Sequence, residues 1–157
     1  MPAGGWGGAG DRPIMPTIQR SALVEHAATR MFALVNDIAA YPARFDWCLA
    51  AEVIEADEQH VVARLDLGIG GLHTWFTTKN TLSPPHRIDM DLHDGPFRRL
   101  EGHWQFHALD ESACKVTLTL DFEPQSRLLT PAFTLGFQGL ADRMVDDFVR
   151  IADRGEE

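Results

Sequence analysis

The sequence predicts an α+β domain: a curved antiparallel sheet wrapped around a long C-terminal helix, with a short helix near the start. Three observations predict it. Much of the chain between residues 51 and 122 alternates apolar and polar positions with period two, broken by turn residues at close intervals. The last segment changes to a period of three and four, with Phe133, Phe137, Leu140, Met144, Phe148 and Ile151 in one stripe. The strands follow one another rather than alternating with helices, which favours antiparallel pairing and helices gathered on one face.

Taken in order, residues 18–24 read as a strand. Thr29 is placed to cap a short helix over 30–38, whose apolar positions are Met31, Phe32, Leu34, Val35 and Ile38. Tyr41-Pro42 is read as its end, because the residue before proline avoids the helical region, and 43–49 as a loop. Strands are then expected at 51–56, 61–69, 72–82, 87–93, 98–109 and 114–122. The turns between them are Asp57-Glu58-Gln59, Gly70-Gly71, Ser83-Pro84-Pro85, Asp94-Gly95-Pro96 and Asp110-Glu111-Ser112. Inward faces are read as Val61, Ala63, Leu65, Leu67 and Ile69; then Ile88, Met90 and Leu92; then Leu100, Gly102, Trp104, Phe106 and Ala108; then Val116, Leu118, Leu120 and Phe122. The terminal helix is expected over 128–153, with Asp142, Arg143, Asp146, Asp147 and Arg150 on its polar side.

Composition narrows the function. At 157 residues, 45% apolar and 24% charged, the chain fits one domain that buries roughly 70% of its unfolded surface. Its Gly-rich residues 1–14 have little to pack and are expected to be disordered, leaving a domain over 15–153. A net charge of −9 opposes binding to DNA and adhesion to anionic lipid. Cys48 and Cys114, without a CxxC, read as reduced thiols. No charged and then apolar leader is visible, and the uncharged run 128–141 is too short to span a bilayer. The expected location is the cytoplasm, with transient contact at the inner membrane surface as a further option.

Several segments, in this order and spacing, carry a resemblance: MPTIQRSALV, LVNDIAAYPARFDWC, FTTKNTL, GPFRRLEGHWQF, ACKVTLTLDFEP and FQGLADRMVDDFVRIA. Together they resemble the coenzyme Q-binding and ribosome-association-toxin (RatA-like) family of the polyketide cyclase/START-like (SRPBCC) superfamily. The resemblance implies a helix-grip fold with an apolar pocket for ubiquinone or a related polyprenyl lipid, in support of respiration or ubiquinone biosynthesis. It implies two alternatives: a toxin that binds the large ribosomal subunit and blocks 70S formation, and a cyclase-like enzyme. With Arg12 the one arginine in residues 1–14, the chain departs from a mitochondrial transit peptide, which favours a bacterial member.

The candidate ligand-binding residues are Phe45, Trp47, Trp75, Phe97, Trp104, Phe106, Phe133, Phe137, Leu140, Met144 and Phe148. Burial of isoprenoid carbon at about 0.8 kcal/mol per CH₂ gives affinity without a polar anchor. A quinone head would need hydrogen-bonding partners, for which Lys79, Asn80, Arg98 and Gln138 are available. An empty apolar cavity of several hundred Å³ would cost on the order of 10 kcal/mol, so a large pocket must fill or collapse. His103 and His107 lie on a strand, roughly 13 Å apart at about 3.3 Å per residue, and are not expected to hold a metal. Asp89, Asp91 and His93 read as a solvated outer face. No nucleophile elbow, zinc motif or phosphate loop is present in the sequence, so neither catalysis nor a catalytic cofactor is expected. A ribosome contact through nucleic acid would need a basic face, for which Arg98, Arg99, Arg127, Arg143 and Arg150 are available.

Overall fold

The computed structural model describes residues 17–69, 71–125 and 131–155. The expected disordered extension over 1–14, Gly70, Arg127 and the expected helix start at Leu128 lie outside the described residues.

Seven strands form one antiparallel sheet: β1 (Thr17–Val24), β2 (Cys48–Ala56), β3 (His60–Ile69), β4 (Leu72–Ser83), β5 (Arg87–Asp94), β6 (Phe97–Asp110) and β7 (Ala113–Pro124). Their order is β1-β7-β6-β5-β4-β3-β2, so each strand from β2 to β7 pairs with its sequence neighbours and β1 closes onto β7. Helix α1 (Ala28–Asn36) and a one-turn α2 (Tyr41–Arg44) lie between β1 and β2; α3 (Pro131–Arg154) ends the fold.

The period-two reading places most of the core, but Ala108, read as an inward residue of β6, is exposed next to the register shift that precedes the β6–β7 turn. Ala63 and Leu67 of β3, Ile88 of β5, Trp104 and Phe106 of β6 and Val116, Leu118 and Phe122 of β7 are buried. They join Phe133, Phe137, Leu140, Phe148 and Ile151 of α3 in one cluster. The alternation tracks burial here because these strands bury one face and leave the other to water.

The region before β2 departs from the expectation. Helix α1 begins at Ala28 with Ala27 in the cap position and no side-chain cap bond; Thr29 lies within the first turn. It ends at Asn36, where Asp37 leaves the helical region (φ −85°, ψ 66°). A 3₁₀ turn over Ile38–Ala40 follows. Tyr41-Pro42 then starts α2 instead of ending α1. Proline suits the first helical turn, where its missing N–H has no partner to lose. The expected loop 43–49 becomes the end of α2, a bend and the start of β2.

Gly95 makes the β5–β6 turn at φ 142°, a backbone conformation that side chains disfavour. A Cβ there would also meet the Phe76 Cα at 3.1 Å.

Candidate functional site

The aromatic residues divide into two groups. Toward α2, Phe45 stacks on Trp47 at 4.8 Å, and Tyr41 and Trp104 meet Phe148 edge-on at 5.4 Å each. Phe106 lies behind Trp104 at 6.3 Å. In the second group, Phe137 meets Phe122 at 4.6 Å and Phe97 at 5.5 Å, with Phe133 at 6.1 Å and Phe76 at 6.5 Å.

A cavity of about 60 Å³ lies between α3 and the sheet, touching Tyr41 and Trp104 of the first group and Phe76 and Phe137 of the second. Of the sequence-predicted residues, Trp104, Phe137, Leu140 and Met144 line it. Phe45, Trp47, Phe106 and Phe148 are core packing behind its first end, and Phe97 and Phe133 behind its second. Trp75 does not face it. That ring lies on the opposite side of β4 from Phe76, with the Arg64 guanidinium 4.1 Å from its centroid.

The walls are mainly aliphatic and aromatic, and the polar side chains are informative. Thr78 and Asn80 alternate with Phe76 along β4 and line the cavity, each less than a tenth exposed. The Thr78 hydroxyl donates to Asn80 Oδ1 at 2.8 Å, leaving the Asn80 NH₂ as a donor at the wall. The Thr74 hydroxyl, two positions before Phe76, is buried without a partner. Among the head-group candidates, Asn80 alone lines the cavity. Lys79 is exposed, Arg98 sits 3.6 Å from Glu123, and Gln138 is half-buried on α3. Thr78 was legible in principle: a period-two reading anchored on Phe76 puts Thr78 and Asn80 on the inward face.

Tyr41 and Glu101 are the ionisable residues lining the cavity among those described. The Tyr41 hydroxyl donates to the Val35 carbonyl, and burial pushes its pKa well above the usual phenol range. Both cysteines are free and buried; burial pushes the Cys48 thiol up to about 11 and Cys114 upward. Among the described residues no group of three His, Cys, Asp or Glu side chains is arranged to hold a metal. No helix among them is long and apolar enough to cross a membrane.

The cavity's size decides what it holds in this conformation. An apolar cavity of about 150 Å³ accepts benzene; one of about 60 Å³ is smaller than a single ring requires. At about 24 cal/mol per Å³ it costs only about 1.5 kcal/mol. The fold therefore resolves the expected conflict by near-closure, and entry of a ring would require α3 or the α2 segment to move.

On the outer face, burial first and then the neighbouring Arg87 guanidinium hold His103 below the ordinary imidazole range. The unfolded chain therefore takes up a proton at a higher pH than the folded one. Stability is expected to fall as pH drops through about 6.5. Urea midpoints at about pH 7.5 and about pH 5 should differ less in His103→Gln than in wild type.

Among the described residues, each arginine available for a basic face stands beside a carboxylate. Arg99 pairs with Glu101 at 2.6 Å, Arg143 with Asp46 at 2.8 Å, Arg150 with Asp147 at 2.5 Å and Arg98 with Glu123 at 3.6 Å. Arg20, Arg44, Arg64 and Arg87 are likewise beside carboxylates.

A seven-stranded antiparallel sheet with a small apolar cavity under a C-terminal helix defines a START-like, helix-grip fold. Residues 24–149 match the family described as polyketide cyclase / dehydrase and lipid transport, and the chain belongs to that family. It is 46% identical over 138 residues to the Ribosome association toxin RatA of Vibrio cholerae, covering 88% of this chain and 96% of that one. It is 24% identical over 135 residues to the mitochondrial coenzyme Q-binding protein COQ10 of Drosophila melanogaster, covering 83% of this chain and 56% of the relative. Among solved structures, the Zhui aromatase/cyclase of a Streptomyces species superposes with a TM-score of 0.76 at 20% identity, covering 90% of this chain and 95% of that one. That last likeness is one of fold.

Proposed function

We propose that this protein acts in the bacterial cytoplasm by binding the large ribosomal subunit and lowering 70S formation, as a binding protein and not as an enzyme. The observation that carries the reading is the 46% identity, over nearly the whole length of both chains, to a relative named as a ribosome association toxin. The nearly closed cavity agrees with it, since it leaves little room for a substrate. Sucrose-gradient profiles of ribosomes with added full-length protein test it. The 70S fraction is expected to fall while free subunits rise; a 70S fraction unchanged at excess protein would remove the reading.

A second reading, uptake of ubiquinone or a similar lipid, is favoured by the apolar walls and the Thr78–Asn80 pair. Organic extraction and mass spectrometry after incubation with ubiquinone would detect it. Ala141, 1% exposed on the α3 wall, provides the separating variant. Ala141→Leu occupies the cavity at a strain cost of about 1–3 kcal/mol or less. It is expected to abolish quinone uptake and leave the 70S effect in place. Quinone uptake unaffected by the variant would place any bound lipid elsewhere.

A further inference from the structure

The sheet has two outer edges, and they differ in chemistry. The β1 edge exposes Thr17, Gln19 and Ser21 beside Leu23. The β2 edge exposes Leu49, Val53 and Ile54, which are 53%, 41% and 50% accessible. No described segment pairs with the outer side of β2. An unpaired edge of this kind is a template for another strand.

Charge says what kind of strand. Residues 45–59 contain Asp46, Glu52, Glu55, Asp57 and Glu58 and no Lys, Arg or His. Asp46 is engaged by Arg143, and Asp57 accepts from the backbone N–H groups of Gln59 and His60. Glu52, Glu55 and Glu58 are exposed, Glu52 across from an Arg64 guanidinium that Asp66 also holds. The β2 register skips Ile54, so Glu52 stands opposite Arg64 and Glu55 opposite Val62, on one face of the sheet. The bulge thus gathers two carboxylates that strict alternation would send to opposite faces. A second copy of β2 would bring the same carboxylates alongside one another, which is destabilising in a cross-strand pair. Phosphate-rich nucleic acid is repelled for the same reason.

We propose that the outer edge of β2 is a docking surface for an extended, Lys/Arg-rich segment of a protein partner, which adds a strand to the sheet. Main-chain hydrogen bonds along Ala50–Val53, the regular stretch between the register shifts at Leu49 and Ile54, provide the pairing, Val53 and Ile54 the apolar contact, and Glu52, Glu55 and Glu58 the selection for basic side chains. On the ribosome reading this is the contact with basic protein on the subunit surface; the proposal rests on that reading only for where the partner resides.

The test uses the full chain, isotopically labelled, titrated with a synthetic peptide alternating Lys and Val, with co-sedimentation on purified large subunits in parallel. Amides of 49–56 are expected to shift and gain exchange protection, and binding to weaken as salt is raised. Glu52→Lys/Glu55→Lys/Glu58→Lys should lose at least about tenfold in affinity. A variant with the same charge change elsewhere, Glu25→Lys/Asp91→Lys/Glu111→Lys, should lose far less. Ile54→Lys, at a half-exposed position, should also weaken binding, with urea midpoints showing that the fold is kept. Protection appearing away from β2, or equal losses in the two charge variants, would overturn the proposal. Should the β2 triple variant and wild type co-sediment equally, the edge proposal falls and the ribosome reading stands. Should wild type bind the peptide at β2 yet fail to sediment with subunits, the ribosome reading falls and the edge proposal stands.

Discussion

Gly102→Ala is expected to destabilise the domain by about 3 kcal/mol, the upper part of the range for forcing extra carbon into a packed core. A Cβ at this position would lie 2.2 Å from the Thr119 carbonyl oxygen, 2.8 Å from Leu120 Cδ2 and 3.1 Å from Leu120 Cα. The first contact is with backbone, which cannot swing aside as a side-chain tip does. Retreat of β7 is opposed from its other side, because Thr119 and Leu120 also pair with Gln19 and Ile18 of β1. Gly102 stands between Met90 and Leu120 in register, and both line the cavity. The missing side chain therefore lets β6 and β7 approach closely where the sheet bends around α3. Gly139→Ala is the internal control. Nothing lies within 4 Å of a Cβ there, and the position is exposed on α3. Helix propensity alone should stabilise that variant by up to about 1 kcal/mol. Urea midpoints of the two variants should move in opposite directions from wild type. A Gly102→Ala midpoint equal to wild type would show that β7 yields freely.

The contrast between these glycines illustrates what periodicity reads and what it misses. The inward faces of β3, β5, β6 and β7 were legible because each buries one side, so burial and hydropathy share one period. Strand β2 was only partly legible. It runs Cys48–Ala56, but from Leu49 onward nearly every side chain is exposed, so no alternation marks its start before Ala51. The break at Asp37 was missed because the apolar spacing from Met31 to Ile38 continues across it: Ile38 is buried from the 3₁₀ turn as it would be from a helix.

The site divides in the same way. Trp104, Phe137, Leu140 and Met144 were legible as inward positions of β6 and α3 and do line the cavity. Composition alone could not separate them from Phe45, Trp47, Phe106 and Phe148. All are large, apolar and inward, and only the closing of aromatic rings on one another decides which faces a void. Trp75, expected at the pocket, is turned outward by β4, where a guanidinium over the ring gives it an alternative to burial. Asp147 was read as part of the polar side of the last helix, yet it is 2% exposed. A helical wheel assigns a carboxylate to solvent by default. It has no means of knowing that an indole N–H arrives from a residue far away in sequence.

That arrival makes the second prediction. Trp47 Nε1 donates to Asp147 Oδ2 at 2.9 Å, and both side chains are almost fully buried. Arg150 and Arg143 reach the same carboxylate at 2.5 and 3.7 Å, and Arg143 also holds Asp46 through two contacts of 2.8 Å. The segment before β2 is thus clamped to α3, beside the cavity end closed by Tyr41 and Trp104. Asp147→Ala is expected to cost about 2–3 kcal/mol, chiefly from leaving the buried indole N–H unsatisfied. The arginine contacts add little, because both guanidiniums are more than a third exposed and screened by water. Trp47→Phe keeps most of the packing and removes the donor, at about 1–2 kcal/mol. Asp147→Asn keeps an acceptor for the indole and should cost less than the alanine variant. The double variant Trp47→Phe/Asp147→Ala should cost less than the sum of its singles by about 1–2 kcal/mol, because no unpaired indole donor remains. Additive singles would show that the hydrogen bond contributes no coupling. Loosening the clamp should also raise amide exchange across 45–48 before it affects the strands at the opposite end of the sheet. If ring-sized ligands enter from this end, Trp47→Phe should take them up faster than wild type. Unchanged uptake with faster exchange would show that such ligands do not enter at this end.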